Sequence, residues 1–436
     1  MQKEIKYTLK EDRPTINIDV LQREYEHLCV FNSNHSDAPL DSSSFNGLVA
    51  LGKQEQIITN NPSELKEETQ RFLNSSNRWA FGYITYDLKN HFETLESNNS
   101  DHLLFPLVNL FAPDIVLKFC SEFVTIYYDD SFISKETAEK AYFLSISNTS
   151  AHKKHHNSQL NILPKISKEE YISKVEKLKE HIKRGNIYEI NFCQEFYAKQ
   201  AKINTVDIYN KLNKISEAPF SAYCRFNDLF VVCASPERFI KKEGSKLISQ
   251  PIKGTAKRSK NSMEDERLKQ ELYNNEKERS ENVMIVDLVR NDLSKIAKAG
   301  SVKVEELFGL YTFKQVHQLI STVSCELKEG ISFTDILKAT FPMGSMTGAP
   351  KVSAMKLIEE FESTKRGLYS GAIGCITPEG DFDFNVVIRS ILYNSTKEYL
   401  SFMTGSAITD KSDAESEYEE CMLKAKAMYE VLRDEN

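Results

Sequence analysis

Short runs of β-branched and aromatic residues, separated by polar turns, recur along the chain. RWAFGYITYDL (78–88) and DIVLKFCSEFVTIYY (114–128) are of this kind. So are SAYCRF (221–226), LFVVCAS (229–235), AIGCITP (372–378), DFNVVIRSILY (383–393) and YLSFMTGSAI (399–408). Their length and residue types predict strands, and the Glu379-Gly380-Asp381 turn separates two of them. Helical spacing is rarer. Ser167 and Glu170 fit a capping box, Ile172, Val175, Leu178 and Ile182 mark one apolar face, and Gly185 stands where that helix should stop. Longer helices are predicted over residues 278–293, 349–361 and 412–433. Strands dominate without alternating regularly with helices, so the class is α+β, not a doubly wound parallel sheet.

The polar stretch 148–165, NTSAHKKHHNSQLNILPK, interrupts this pattern. It divides a β-rich amino-terminal portion (1–147) from a second portion (166–436), and its composition predicts a solvated linker. His152, His155 and His156 lie in it without accompanying carboxylates or cysteines, so they do not read as a metal site.

At 436 residues the chain is long enough for a large core, and 40% hydrophobic with 27% charged residues is ordinary for a soluble protein. A net charge of -7 gives no electrostatic footprint for nucleic acid. The amino terminus has no apolar signal core, and no stretch has the roughly 18 consecutive apolar residues of a membrane span. Eight scattered cysteines without a C-x-x-C pair read as reduced thiols, so a cytoplasmic location is expected.

Candidate chemistry lies in the second portion. Glu278 and Glu281 are three apart on one predicted helix, and Glu417 and Glu420 repeat the spacing on another, with Lys424 one turn further. Two such pairs could converge on a hard cation such as Mg²⁺, although acidic pairs of this spacing are also common on solvated faces. Thr347 and Gly348 precede a predicted helix with Pro350 in its first turn; its free N–H groups would suit a carboxylate, although a plain, well-capped helix fits the same residues. Seven of 16 glycines fall between Gly344 and Gly405, which fits either turns or close backbone approach to a ligand. Arg389 lies amid hydrophobes and needs an anionic partner. His317, alone on an apolar segment, reads more often as a satisfied core residue than as a functional one. For Lys253, partial desolvation with Lys257 and Arg258 nearby could lower its pKa and leave a neutral amine nucleophile, although most lysines are simply solvated.

Five ordered motifs bind these residues together: SPERF (235–239), PIKGT (251–255), ERSENVMIVDLVRNDL (278–293), MTGAPK (346–351) and EYEECMLKA (417–425). They resemble the chorismate-utilising family of anthranilate synthase component I, aminodeoxychorismate synthase component I, and the isochorismate and salicylate synthases. WAFGYITYDL resembles the family's amino-terminal portion more loosely. The resemblance implies two packed β-sheets with peripheral helices and Mg²⁺-dependent chemistry on chorismate. It implies Glu281 and Glu420 as Mg²⁺ ligands, supported by Glu278 and Glu417. Arg389 and Tyr369 would hold the enolpyruvyl carboxylate with backbone near Gly405. Lys424, Thr347 and Gly348 would complete the anion cradle, with Thr255 also at the substrate and His317 near the C4 hydroxyl.

Lysine in PIKGT, where the anthranilate synthases carry alanine, resembles the aminodeoxychorismate synthases. It implies that Lys253 attacks the ring and that ammonia then displaces it, with Glu237 as general acid and base. The ammonia would come from a glutamine amidotransferase component II, since no amidase motif appears in the chain. Anthranilate synthase component I is the alternative. The strand NIYEINFCQEF (186–196) offers Glu189 where water-using relatives need a lysine base. In the same strand Glu195 stands where arginine is expected, and no Leu-Leu-Glu-Ser occurs near the amino terminus.

Overall fold

The side-chain alternation of the strands decides the layering. In the strand His27–Asn32, Leu28 and Val30 point to one core while Cys29 and Phe31 point to another, the period of two expected for a sheet buried on both faces. The structure is a computed structural model and describes residues 2–9, 14–34, 45–60, 65–74, 78–147, 160–314 and 316–433. It contains two large antiparallel sheets and, among the described residues, 11 α-helices.

The first sheet runs, in spatial order, through Gln2–Thr8, Phe123–Asp129, Ile115–Phe119, Leu48–Leu51, His27–Asn32 and Phe220–Phe226. It continues through Leu229–Ser235, Ser390–Asn394, Tyr399–Ile408, Glu189–Ala198 and the short edge Gly348–Ala349. The second runs from Ile252–Lys257 through Val316–Glu326, Lys246–Gln250, Arg238–Glu243, Phe382–Val386 and Ala372–Ile376. It ends with Ala80–Ile84, Val108–Ala112 and Glu55–Thr59. Strands from both sides of the 148–165 stretch enter both sheets. Of that stretch, residues 148–159, with all three histidines, lie outside the described residues.

One core fills the space between the sheets. Phe31 stacks on Phe45 with centroids 4.4 Å apart, and Tyr83 meets Phe226 edge-on at 4.9 Å. The other core lies outside the first sheet, beneath the helices Lys168–Lys183, Lys351–Phe361 and Ala414–Leu432. Ser167 caps the first of these by accepting from the Glu170 N–H at 3.2 Å. The capping box is only half made, because the Glu170 carboxylate turns to Lys174 at 3.1 Å. Tyr171, rather than Ile172, is the fully buried residue of that face. No helix of the described residues is long and apolar enough to cross a membrane, and all eight cysteines are free thiols.

The edge of the first sheet at Glu189–Ala198 and the edge of the second at Ile252–Lys257 face each other across a Glu189–Lys253 ion pair. The Ser235-Pro236-Glu237-Arg238 segment carries the chain from one sheet to the other. Its register is fixed by Arg238, which donates to both oxygens of buried Asp383 at 3.0 and 3.2 Å. Glu237 is thereby held at the crossover.

Candidate active site

Two helices bring four carboxylates to the facing sheet edges. The Glu276–Ser294 helix starts at Asn275, whose side chain accepts from the Glu278 N–H at 3.2 Å. The Ala414–Leu432 helix starts at Asp413, which accepts from Ser416 N–H at 2.9 Å. Glu278, Glu281, Glu417 and Glu420 therefore all sit in the first two turns, where the helix dipole favours negative charge. Glu281 and Glu417 are buried. Between them lies the Lys277 ammonium, 3.8 Å from Glu281 and 3.7 Å from Glu417, and its charge is held up by all four carboxylates against the opposing effect of burial.

Burial raises Glu281 to about 7, and one of its oxygens, Oε1, has no hydrogen-bond partner. Glu278 is also raised, mainly by burial, whereas Lys424 at 2.7 Å overcomes burial and lowers Glu420. Among the described residues no three acidic, histidine or cysteine side chains already form a closed metal-ligand set. The residues nevertheless suit a hard divalent cation: the four side chains offer carboxylate oxygens, Glu281 Oε1 makes no hydrogen bond, and a cationic nitrogen already lies between Glu281 and Glu417.

Lys253 projects into this acidic region with its side chain only 10% exposed. Its Nζ donates to Glu189 Oε1 at 2.5 Å. Burial alone would lower its pKa, but Glu189, Glu281 and Glu237 together outweigh burial and raise it. The expectation of a lowered pKa is therefore wrong. Its reason fails too, because Arg258 is drawn away to Asp265 at 2.8 Å. Glu237, 4% exposed, accepts from Ser345 Oγ at 2.6 Å, and burial pushes it up to about 7 against the opposing pull of Ser345 and Lys253.

Arg389 is half-buried in left-handed backbone conformation (φ 51°), between two strands of different sheets. It has no carboxylate within ion-pair distance among the described residues, although the Glu237 charge acts on it, so an anion-binding role is open to it. Tyr369 is buried with its hydroxyl 3.7 Å from Cys193 Sγ. Lys424 Nζ donates to the Gly405 carbonyl at 3.0 Å, so these two sequence candidates do meet. Thr347 is fully buried and donates to the Met343 and Gly344 carbonyls, each at 3.2 Å, while exposed Thr255 accepts from Gln318 at 3.5 Å.

Three candidates are engaged with protein groups. His317 is buried with Nδ1 2.9 Å from Thr312 Oγ1 and Nε2 3.1 Å from Asp265, so reaching a substrate hydroxyl requires one of these contacts to open. Gly348 and Gly405 lie against backbone: an added Cβ would come within 2.1 Å of the Glu189 carbonyl and 2.2 Å of the Phe192 carbonyl respectively. Close approach does explain these glycines, but the partner is a neighbouring strand. Glu195, in place of the expected arginine, is buried and accepts from Tyr399 at 3.0 Å and Ser401 at 2.8 Å.

Sequence reasoning missed Lys277 and Ser345. Both sit within or beside the motifs, at EKERSEN and GSMTGAPK, and only the fold shows what they face.

The model of the chorismate-binding enzymes matches residues 26–430, nearly the whole chain. The chain belongs to this family. Anthranilate synthase component 1 from Aquifex aeolicus is 33% identical over 405 residues, covering 87% of this chain and 81% of the relative. Aminodeoxychorismate synthase component 1 from Bacillus subtilis is 30% identical over 377 residues, covering 84% and 80%. Among solved structures, anthranilate synthase component I from Streptococcus pneumoniae superposes with a TM-score of 0.73 at 25% identity, covering 99% of this chain and 92% of that one. The fold is that of anthranilate synthase component I. The family makes this chain a chorismate-utilising enzyme, and its relatives are component I subunits of both reactions.

Proposed function

We propose that this chain converts chorismate and ammonia to 4-amino-4-deoxychorismate, the reaction of an aminodeoxychorismate synthase component I. The observation that carries the reading is Lys253, an amine buried between Glu189, Glu237 and Glu281 at the meeting edges of the two sheets. A lysine whose only purpose was solubility would not be held in an acidic, water-poor site.

Nζ of Lys253, as the neutral amine, attacks C2 of the ring. The ring double bonds move from C1–C2 and C5–C6 to C1–C6 and C4–C5, and the C4–O bond breaks. Glu237, protonated through its burial, gives its proton to the departing hydroxyl, which leaves as water. Ammonia then adds at C4, the double bonds return, and Lys253 leaves as an amine. Glu237 recovers its proton from the new C4 ammonium group, so atoms and charge balance.

Arg389 and Tyr369 orient the enolpyruvyl carboxylate with backbone near Gly405. Lys424, Thr347 and Gly348 bound the anion site, with Thr255 beside Lys253 and His317 kept on Asp265. Glu281 and Glu420, backed by Glu278 and Glu417, would hold Mg²⁺, which when bound neutralises the ring carboxylate and polarises the C4 side of the substrate. The ammonia source is a glutamine amidotransferase component II, a reading supported by the naming of the relatives as component 1.

The purified chain incubated with chorismate, Mg²⁺ and an ammonium salt tests the reading by mass spectrometry of the products. Aminodeoxychorismate without pyruvate supports it. Anthranilate with pyruvate would overturn it in favour of the other component I reaction.

A further inference from the structure

The Lys253 amine can attack only without its extra proton, because an ammonium nitrogen has no free electron pair. Its acidic neighbours favour that proton, and Glu189 is the acceptor within hydrogen-bond reach of it. Lys253 Nζ donates to Glu189 Oε1 at 2.5 Å, the one ion pair it makes at short range among the described residues. Glu189 is 1% exposed, and its second oxygen, Oε2, has no hydrogen-bond partner.

The other charged groups facing Lys253 are committed elsewhere. Glu237, at the sheet crossover, must begin as the acid for the C4 hydroxyl and is bonded to Ser345. Glu278 and Glu281 on one helix, and Glu420 on the other, belong to the carboxylate cluster around Lys277 and Lys424. Proton transfer inside the Lys253–Glu189 pair converts two buried charges into two neutral groups, which a water-poor site favours once the surrounding field changes.

We propose that Glu189 is a catalytic residue, the acceptor that takes the Lys253 proton before attack and returns it after the lysine is expelled. The step is balanced: the Nζ–H bond breaks, the Oε–H bond forms, the electron pair remains on nitrogen, and the reverse transfer restores the resting pair. The inference rests on Lys253 being the nucleophile.

The test measures formation of the covalent adduct on the intact protein by rapid-quench mass spectrometry, with chorismate and Mg²⁺ but no ammonia, for wild type, Glu189→Gln and Glu189→Asp. The glutamine keeps the shape of the side chain and removes its ability to accept the proton. Adduct formation in Glu189→Gln is expected to be at least about tenfold slower at neutral pH, with the gap closing as pH rises and solvent removes the proton instead. Glu189→Asp should recover part of the loss. Equal thermal unfolding of the variants separates this from a structural role.

Wild-type rates in Glu189→Gln at neutral pH would overturn the role of Glu189 and leave Lys253 as nucleophile. Absence of any adduct in wild type, with aminodeoxychorismate still produced, would remove the lysine chemistry itself and the role of Glu189 with it.

Discussion

Replacing Glu281 by glutamine should stabilise the metal-free protein above neutral pH while destroying its response to Mg²⁺. Burial raises this carboxyl from an ordinary value of 4.5 to about 7 in the folded chain. At about 1.4 kcal/mol for each tenfold change in proton affinity, the ionised form is disfavoured by folding to the extent of about 3 kcal/mol. The sign follows from proton binding. The folded state holds this proton more tightly than the unfolded state, so the stability it contributes is complete below about pH 4.5 and is lost as pH rises through about 7. Glutamine stays neutral at every pH and loses nothing. Relative to wild type, the variant should gain under about 1 kcal/mol at pH 5 and up to about 3 kcal/mol at pH 8. Urea unfolding in EDTA, followed by the fluorescence of Trp79, measures this; Trp79 is the chain's single tryptophan and is 8% exposed. Adding Mg²⁺ should stabilise wild type and leave the variant unchanged. A variant less stable than wild type at pH 8 in EDTA would refute the account of Glu281 as a carboxylate kept under electrostatic strain for a cation.

Lys277→Met should tighten Mg²⁺ binding in calorimetry, because it removes the ammonium lying between Glu281 and Glu417; weaker binding would mean that Lys277 helps to build the site. The rate of adduct formation should fall as pH rises through about 7, where Glu237 loses the proton it must donate. Glu237→Gln should abolish that limb and slow the step by roughly 10²-fold or more. Gly348→Ala would drive a methyl group to 2.1 Å from the Glu189 carbonyl, a backbone atom that cannot swing aside. Destabilisation of about 3 kcal/mol and loss of activity are expected, and a wild-type unfolding midpoint would contradict the packing account.

Much of the architecture could be read from local chemistry. Ser167 and Gly185 bound a helix because a hydroxyl cap and a left-handed residue suit those ends, and the helices bearing the glutamate pairs begin within about two residues of their expected starts. Strand identity was equally local, since β-branched and aromatic residues alternate between two cores. Strand order was not, because it depends on contacts between residues hundreds of positions apart: Ala80–Ile84 pairs with Ala372–Ile376. The same limit applies to the site. The spacing of Glu278 with Glu281, and of Glu417 with Glu420, shows that each pair shares a face but not that both faces meet at Lys277. Lys253 is the sharpest case. Its sequence neighbours are basic and suggest a depressed pKa, whereas its spatial neighbours are acidic and raise it. The glycine-rich stretch fits either turns or close approach to a ligand in sequence, whereas at Gly348 and Gly405 the close neighbour is the Glu189–Ala198 strand.

The most direct test of the central claim is the mass of the intact protein after incubation with chorismate and Mg²⁺ in the absence of ammonia. Wild type should gain the mass of chorismate less one water, the added mass should map to Lys253, and ammonium should discharge it as aminodeoxychorismate. Lys253→Ala should show no adduct and greatly reduced turnover. Full turnover by Lys253→Ala, or an adduct that maps to another residue, would contradict the account.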